Sequence, residues 1–331
     1  MAKPRVYITR NIPQAALDII DAACQWEQWA SDEPVPREVL LAKAQQVDGL
    51  LTLLTDRIDQ PLLAAAPSLK VIANMAVGYD NIDVAAATAA GVLVTNTPGV
   101  LTETTADLAW ALLMAAARRL PQSERALRAG QWQSWKPLEF TGQDIYGATL
   151  GIVGLGSIGA AVARRALGFG MKILYYNRRP NPVAEAALGC RYVDLDTLLR
   201  ESDFVSLHCP LTDETRGLIG RRELALMKPT AVLVNTARGP VVDEAALIDA
   251  LKEGRIWAAG LDVYDVEPIA PDHPLLQLDN VVALPHIGSA SIRTRTRMAT
   301  LAAENLVAAL TGKEPPTPVN PEVLSRVRGR P

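Results

Sequence analysis

Residues Gly154-Leu155-Gly156-Ser157-Ile158-Gly159 lie between an apolar run, TLGIV, and an alanine-rich stretch with helical spacing, AAVARRALGF. Glycines at this spacing, directly after a strand and opening a helix, fit one local structure. The first allows a very tight turn, the second lets backbone approach a pyrophosphate, and the third lets helix and strand pack closely. Free N–H groups at the helix start then face the anion. The turn therefore predicts a parallel α/β sheet that binds a dinucleotide, with contacts from Gly154 through Gly159.

The rest of the chain agrees with that sheet. RVYITR, VDGLLTLL, LKVIANM and GVLVTN read as strands, separated by helical patterns at 13–23, 36–45, 60–66 and 83–90. A second alternating series begins at Ala148, with strands at MKILYYN, DFVSLHC, AVLVNTA, WAAGLDV and NVVALPH. Strands alternating with helices imply crossover units, and continuous apolar strands imply burial on both faces. Between the two series, 102–120 reads as one long helix, and a last helix at about 289–311 precedes a proline-rich tail. At 331 residues, 49% apolar and 21% charged, the composition is that of a globular protein of about two domains.

Composition also removes several classes of function. The net charge of -3 provides no basic excess for nucleic acid. The richest apolar run, Leu108–Ala117, is ten residues, half of the roughly 20 that span a membrane. MAKPRVYITR lacks the apolar core of a signal peptide. The cysteines, Cys24, Cys190 and Cys209, are odd in number and match no metal-ligand spacing. Reduced thiols in a cytoplasmic protein are expected, without metal, nucleic acid or membrane.

The dinucleotide is read at the end of the next strand. NAD sites usually carry Asp or Glu about 20 residues after the glycine turn, accepting from the ribose 2′-OH. Here the run is Tyr176-Asn177-Arg178-Arg179-Pro180. Guanidinium groups bind a phosphate with charge-assisted, often bidentate bonds. NADPH is the expected cofactor, with NADH used more weakly.

Ligands of open parallel sheets lie beyond the carboxyl ends of the strands. Arg238 follows AVLVNTA, Glu267 follows WAAGLDV, and His286 follows NVVALP. Hydride transfer to a 2-oxo acid needs a cation for the carboxylate and carbonyl, an acid for the nascent alkoxide, and a carboxylate to support that acid. The three residues supply one of each. Spacing alone leaves His208, in SLHCP, as a competing acid. The irregular segment RAGQWQSWKPLEFTGQDIYG, with Trp132, Trp135, Phe140 and Tyr146, either tucks into its own core or forms an arm that covers a second subunit.

NMAVGYDNID, NTPGVLTETTADLAWALL, GIVGLGSIG, LHCPLTDETRGLIG, NTARGPVVDEAAL, GLDVYDVEP and LPHIGSA, in this order, span almost the whole chain. With them the chain resembles the D-isomer-specific 2-hydroxyacid dehydrogenases, and within these the NADPH-dependent glyoxylate/hydroxypyruvate reductases. The resemblance implies reduction of glyoxylate to glycolate and of hydroxypyruvate to D-glycerate, with catalytic Arg238, Glu267 and His286. It implies substrate-carboxylate binding by backbone at Val77 and Gly78, beside Arg238 and His286. It implies cofactor contacts at Thr105, Leu155–Ile158, Asn177–Arg179, Cys209, Pro210, Thr236, Ala237, Arg238, Asp262, His286 and Gly288. The implied architecture is a Rossmann-type cofactor domain, 102–287, inserted into a flavodoxin-like substrate domain formed by 1–101 and 288–331, with the active site in the cleft between them. A homodimer is expected, which favours the arm.

Two other activities share parts of this pattern. An NAD-dependent 3-phosphoglycerate dehydrogenase would use the same triad, but the arginine pair opposes NAD. A dinucleotide-sensing corepressor would bind without turnover, which the complete triad opposes. Formate dehydrogenases resemble the chain less, because their acid–base partner is typically Gln where Glu267 stands.

Overall fold

The computed structural model describes residues 2–325 and divides into two compact units, Met1–Leu101 with Ser289–Pro331, and Thr102–Gly288. The first unit is built on strands β1 (Arg5–Ile8), β2 (Gln25–Gln28), β3 (Gly49–Thr52), β4 (Val71–Asn74) and β5 (Leu93–Thr95). Between them run α1 (Gln14–Ala23), α2 (Arg37–Ala44), α3 (Gln60–Ala65) and α4 (Val84–Ala90). All pairings are parallel, in the order β2-β1-β3-β4-β5, the flavodoxin-like arrangement.

The second unit begins with α5 (Thr102–Ala117) and α6 (Leu120–Arg128). Its strands are β6 (Thr149–Val153), β7 (Lys172–Tyr176), β8 (Arg191–Tyr192), β9 (Phe204–Leu207), β10 (Val232–Asn235), β11 (Ala258–Leu261) and β12 (Val281–Ala283). The helices α7 (Ser157–Gly168), α8 (Pro182–Leu188), α9 (Leu195–Glu201), α10 (Arg221–Leu226) and α11 (Glu244–Lys252) alternate with them. The parallel order β12-β11-β10-β9-β6-β7-β8 is the Rossmann arrangement with one added strand. The chain then returns to the first unit through α12 (Ile292–Leu310).

Alternation along each strand explains why these runs are apolar throughout. In the first unit Val6, Ile8, Leu51, Val71 and Leu93 pack with α1 and α12, while Tyr7, Leu50, Ile72 and Val94 pack with α2, α3 and α4. Successive side chains of a strand point to opposite faces, and here both faces are covered. The second unit repeats the scheme. Leu150, Ile152, Ile173 and Tyr175 join α5 and α7, and Val153, Val205, Leu207 and Leu233 join α9, α10 and α11. Among the described residues, no helix is long and apolar enough to cross a membrane.

The expected single helix over 102–120 is instead two. Pro121 has no N–H to give the Ala117 carbonyl and cannot lie inside a helix. The helix stops at Ala117, Arg119 takes a left-handed φ of 54°, and α6 starts with Pro121 in its first turn. The Ala117 carbonyl accepts from the Gln143 N–H at 2.9 Å, where the segment that follows α6 comes back.

In that segment Phe140 and Ile145 are half-buried, Ile145 against the core, but both tryptophans and Tyr146 stay outside. Trp135, Leu138 and Tyr146 are 79%, 85% and 80% exposed, and Trp132 and Leu127 are also open. Its Gly, Pro and polar spacing has no period of 2 or 3.6, so no face collects the apolar side chains. The proline-rich tail, by contrast, is docked: Pro318 bridges Thr95 antiparallel. Asn320, fully buried, accepts from Val94 N at 2.7 Å and donates to Val92 O at 3.0 Å and Thr88 Oγ1 at 2.9 Å. Sequence patterning missed the polar edge strands β2 and β8 and the short helix α8, whose residues lack a continuous apolar face.

Candidate active site

The order of the second sheet reverses between β6 and β9, which opens a crevice at their carboxyl ends. Gly154 turns there with a φ of 98°. A side chain at Gly154 would meet Cys209 N at 2.5 Å, so the turn after β6 lies directly on the backbone after β9. At Gly159 a Cβ would fall 2.3 Å from Gly154 O, whereas at Gly156 it would meet nothing within 4 Å. One glycine makes the turn, one packs the helix, and Gly156 leaves open space at the start of α7, whose first residues are Ser157 and Ile158. No side chain caps that helix end, so its N–H groups are available to an anion. Nearby at the end of β10, the Thr236 hydroxyl is buried without a hydrogen-bond partner. An open glycine cradle, an uncapped helix and an orphaned hydroxyl fit a dinucleotide.

Arg238, Glu267 and His286 converge at the ends of β10, β11 and β12. The Asn235 side chain shapes the first loop, accepting from Ala237 N at 3.0 Å and donating to Arg238 O at 2.9 Å. Arg238 then donates through Nη1 to Ala237 O at 2.8 Å. Gly239 brings this loop onto the next one. A Cβ there would fall 1.9 Å from the carbonyl carbon of Tyr264, so only glycine permits the contact. Glu267 Oε1 accepts from Tyr264 N at 3.0 Å, and Oε2 pairs with His286 Nδ1 at 2.6 Å. The second ring nitrogen, Nε2, is left for a ligand. Burial pushes the Glu267 carboxyl upward, but the His286 hydrogen bond and charge, the Tyr264 N–H and the Arg238 charge outweigh it. The carboxyl is held below its usual range, so at neutral pH it is an anion beside the imidazole.

His286 itself has a φ of 52°, an uncommon conformation for a non-glycine residue. Asp262, almost fully buried, holds it by accepting from Ile287 N at 2.7 Å and Gly288 N at 2.8 Å. Burial raises the Asp262 carboxyl more than those N–H groups and the His286 charge lower it. Thr105 from α5 reaches the same point. A Cβ on Gly288 would lie 3.2 Å from Asp262 Oδ2 and 3.6 Å from Thr105 Oγ1.

The other histidines are spent elsewhere. His208 shares a hydrogen bond of 2.8 Å between Nε2 and Ser206 Oγ, and burial pushes its pKa down to about 4. It is neutral at neutral pH, with its ring already paired to Ser206. His273 faces Glu244 at 3.1 Å and accepts from Leu275 N. Cys209, pushed up to about 11 by burial, is a neutral thiol, and Pro210 beside it is exposed. Among the described residues, no cluster of His, Cys, Asp and Glu could hold a metal ion.

At the end of β7, Asn177 Oδ1 accepts from Leu155 N at 2.7 Å, tying this strand end to the glycine turn. Arg178 and Arg179 follow, exposed, with Arg178 Nη1 3.4 Å from Glu214 Oε2. In the other unit, the carbonyls of Val77 and Gly78 accept from Asn96 Nδ2 at 2.8 Å and Asn74 Nδ2 at 3.0 Å. Asn81 Nδ2 binds the carbonyls of Leu53 and Asp56, so the loops after β3 and β4 are knitted together.

Residues 110–288 match the family model described as the D-isomer specific 2-hydroxyacid dehydrogenase NAD binding domain. The chain belongs to this family. It is an NAD(P)-dependent oxidoreductase with a Rossmann domain and a substrate domain. It is 56% identical over 323 residues, 97% of each chain, to a protein of Korarchaeum cryptofilum named glyoxylate reductase. A crystal structure of a glyoxylate reductase from Paecilomyes thermophila superposes with a TM-score of 0.87 at 37% identity, covering 97% of this chain and 100% of that one. An NADPH-dependent glyoxylate/hydroxypyruvate reductase from Sinorhizobium meliloti, in complex with NADP and malonate, gives 0.85 at 37% identity, covering 96% and 97%. In this dehydrogenase, sequence reasoning missed Gly239, Asn235 and the Asn74–Asn96 pair. A glycine or asparagine beside a strand end signals a turn, but not which backbone it will meet.

Proposed function

We propose that this protein reduces small 2-oxo acids, glyoxylate to glycolate and hydroxypyruvate to D-glycerate, with NADPH as the preferred cofactor. The observation that carries this reading is the 2.6 Å pair between His286 Nδ1 and Glu267 Oε2, beside Arg238. The likeness to proteins named glyoxylate reductase supports the choice of substrate. Residues 102–288 are the cofactor unit in this reading, and 1–101 with 289–331 the substrate unit.

Arg238 binds the substrate carboxylate and polarises the carbonyl, since its planar fork matches two oxygens. The N–H groups of Val77 and Gly78, whose carbonyls are already occupied by Asn96 and Asn74, add to the carboxylate site. Glu267 fixes the orientation of the imidazole through Nδ1, so Nε2 faces the substrate and delivers a proton to the oxygen as it becomes an alkoxide. Asp262 and Thr105 border the same loop. The open turn at Gly156 and the start of α7 hold the pyrophosphate, the Thr236 hydroxyl finds a partner on the cofactor, and Arg178 with Arg179 hold the 2′-phosphate. When bound, the dinucleotide supplies the hydride. The open arm around Trp132 and Trp135 covers a second copy of the chain in a homodimer, because large apolar side chains in solvent need cover.

His286→Ala should lower kcat for glyoxylate reduction about a hundredfold to ten-thousandfold, with NADPH affinity by fluorescence titration little changed. A near-wild-type kcat would remove His286 from the reaction. Glu267→Gln removes the anion that pairs with His286 Nδ1 at 2.6 Å, so kcat for glyoxylate reduction should fall while NADPH affinity by fluorescence titration is little changed. An unchanged kcat would leave Glu267 without the role assigned to it. The ratio of kcat/KM for NADPH over NADH should exceed one in the wild type and collapse in the Arg178→Ala, Arg179→Ala double variant, and a wild-type preference for NADH would overturn the cofactor choice. Sedimentation equilibrium should give the mass of two chains, and Trp135→Glu should shift it toward one. A monomeric wild type would contradict the arm.

A further inference from the structure

We propose that Glu214 is a specificity-determining residue at the adenosine end of the dinucleotide site, opposing a 2′-phosphate at Arg178 and favouring a free 2′-hydroxyl. The proposal rests on the reading that the arginines after β7 face the ribose 2′-position. It supplies what the end of β7 lacks, because the run Asn177-Arg178-Arg179 carries no carboxylate where NAD sites usually have one. The carboxylate arrives from a different loop.

The strand order explains how. β7 and β9 flank β6 on its two sides, so the residues after β7 and after β9 bracket the glycine turn after β6. The ion pair of 3.4 Å between Arg178 Nη1 and Glu214 Oε2 joins those two loops. Both side chains are exposed, at 79% and 70%, and such a pair adds little to stability. Nor is it the meeting of two loose tips. Arg178 and Arg179 sit between two held residues. Asn177 accepts from Leu155 N at its side chain and from Tyr192 OH, 3.1 Å away, at its carbonyl. Asn181 donates its N–H to the buried Tyr175 hydroxyl at 2.7 Å and caps α8 at Ala184 N. Glu214 rides on an equally defined turn. Thr215 Oγ1 accepts from Thr212 N at 2.8 Å and donates to Pro210 O at 2.6 Å, while Gly217 N donates to Pro240 O at 2.8 Å.

The consequence is a difference between the two dinucleotides. A 2′-phosphate carries between one and two negative charges at neutral pH. It must displace Glu214 from Arg178 and then remain near a like charge. A 2′-hydroxyl meets a carboxylate that can accept its proton in a hydrogen bond. Arg178 and Arg179 push selectivity toward NADPH, and Glu214 pulls it back, so the wild type accepts both.

The test is calorimetric binding of 2′,5′-ADP and 5′-AMP to the full chain, with and without Glu214→Gln. The substitution changes one exposed charge and keeps the side-chain size. The affinity ratio, 2′,5′-ADP over 5′-AMP, should rise roughly threefold to tenfold, through tighter 2′,5′-ADP, unchanged or weaker 5′-AMP, and a gain that shrinks as salt is raised. The kcat/KM ratio for NADPH over NADH should rise in parallel. An unchanged affinity ratio, or an equal change for both ligands, overturns the proposal. Failure of the arginine reading looks different, because the Arg178→Ala, Arg179→Ala variant would then bind 2′,5′-ADP as tightly as the wild type. If that variant loses 2′,5′-ADP while Glu214→Gln leaves the ratio alone, the arginine reading stands and only the role of Glu214 falls.

Discussion

A backbone contact at Gly239 organises the reactive end of the second sheet. The loop after β10 lies so close to Tyr264 and Asp265 that a single added carbon would fall 1.9 Å from the Tyr264 backbone. That approach places Arg238 where its charge acts on Glu267. Tyr264 in turn gives its N–H to Glu267, leaving the other carboxylate oxygen for His286. Three side chains from three strand ends become one electrostatic unit because two loops touch through their main chains. A larger residue at Gly239 would force the loops apart, at a cost typical of overpacking, about 1–3 kcal/mol.

The same logic of close backbone approach recurs at the glycine turn. Gly154 lies on the backbone of Cys209, and Gly159 packs on Gly154 itself. Between them Gly156 opens onto space. A parallel sheet buried on both faces offers little polar surface along its length, so its chemistry gathers at the strand ends, where chain reversals release N–H groups and side chains. Burial then sets the charges there. It pushes His208 down to about 4 and Cys209 up to about 11, keeping both neutral. At Glu267 the donors and positive charge outweigh burial and hold the carboxyl below its usual range, whereas at Asp262 burial outweighs them.

Much of this was readable from residues. The strand–glycine–helix pattern at 149–168 foretold the tight turn at Gly154 and the close packing at Gly159, because both depend on local geometry. The triad was readable as three residues that each follow a strand. What was not readable has physical reasons too. Both His208 and His286 end strands, and only the positions of Glu267 and Ser206 separate them. The helix over 102–120 was expected to reach Leu120, yet the missing N–H of Pro121 closed it three residues sooner, with the Gln143 N–H meeting the freed Ala117 carbonyl. The aromatic segment after α6 gave no periodicity to follow, and its tryptophans stand in solvent.

By itself, the sequence determined the α/β class, the glycine turn and the family, and it marked Arg238, Glu267 and His286 as charged or titratable residues that follow strands. These depend on local periodicity, on glycine's freedom, and on residue chemistry at fixed spacings. Only the tertiary structure decided which charges meet. Arg178 and Glu214 are 36 residues apart and belong to loops on opposite sides of β6. Asn320 holds β5 from more than two hundred residues away. Pairings of this kind depend on strand order and on which backbones come into contact, and no spacing along the chain encodes them.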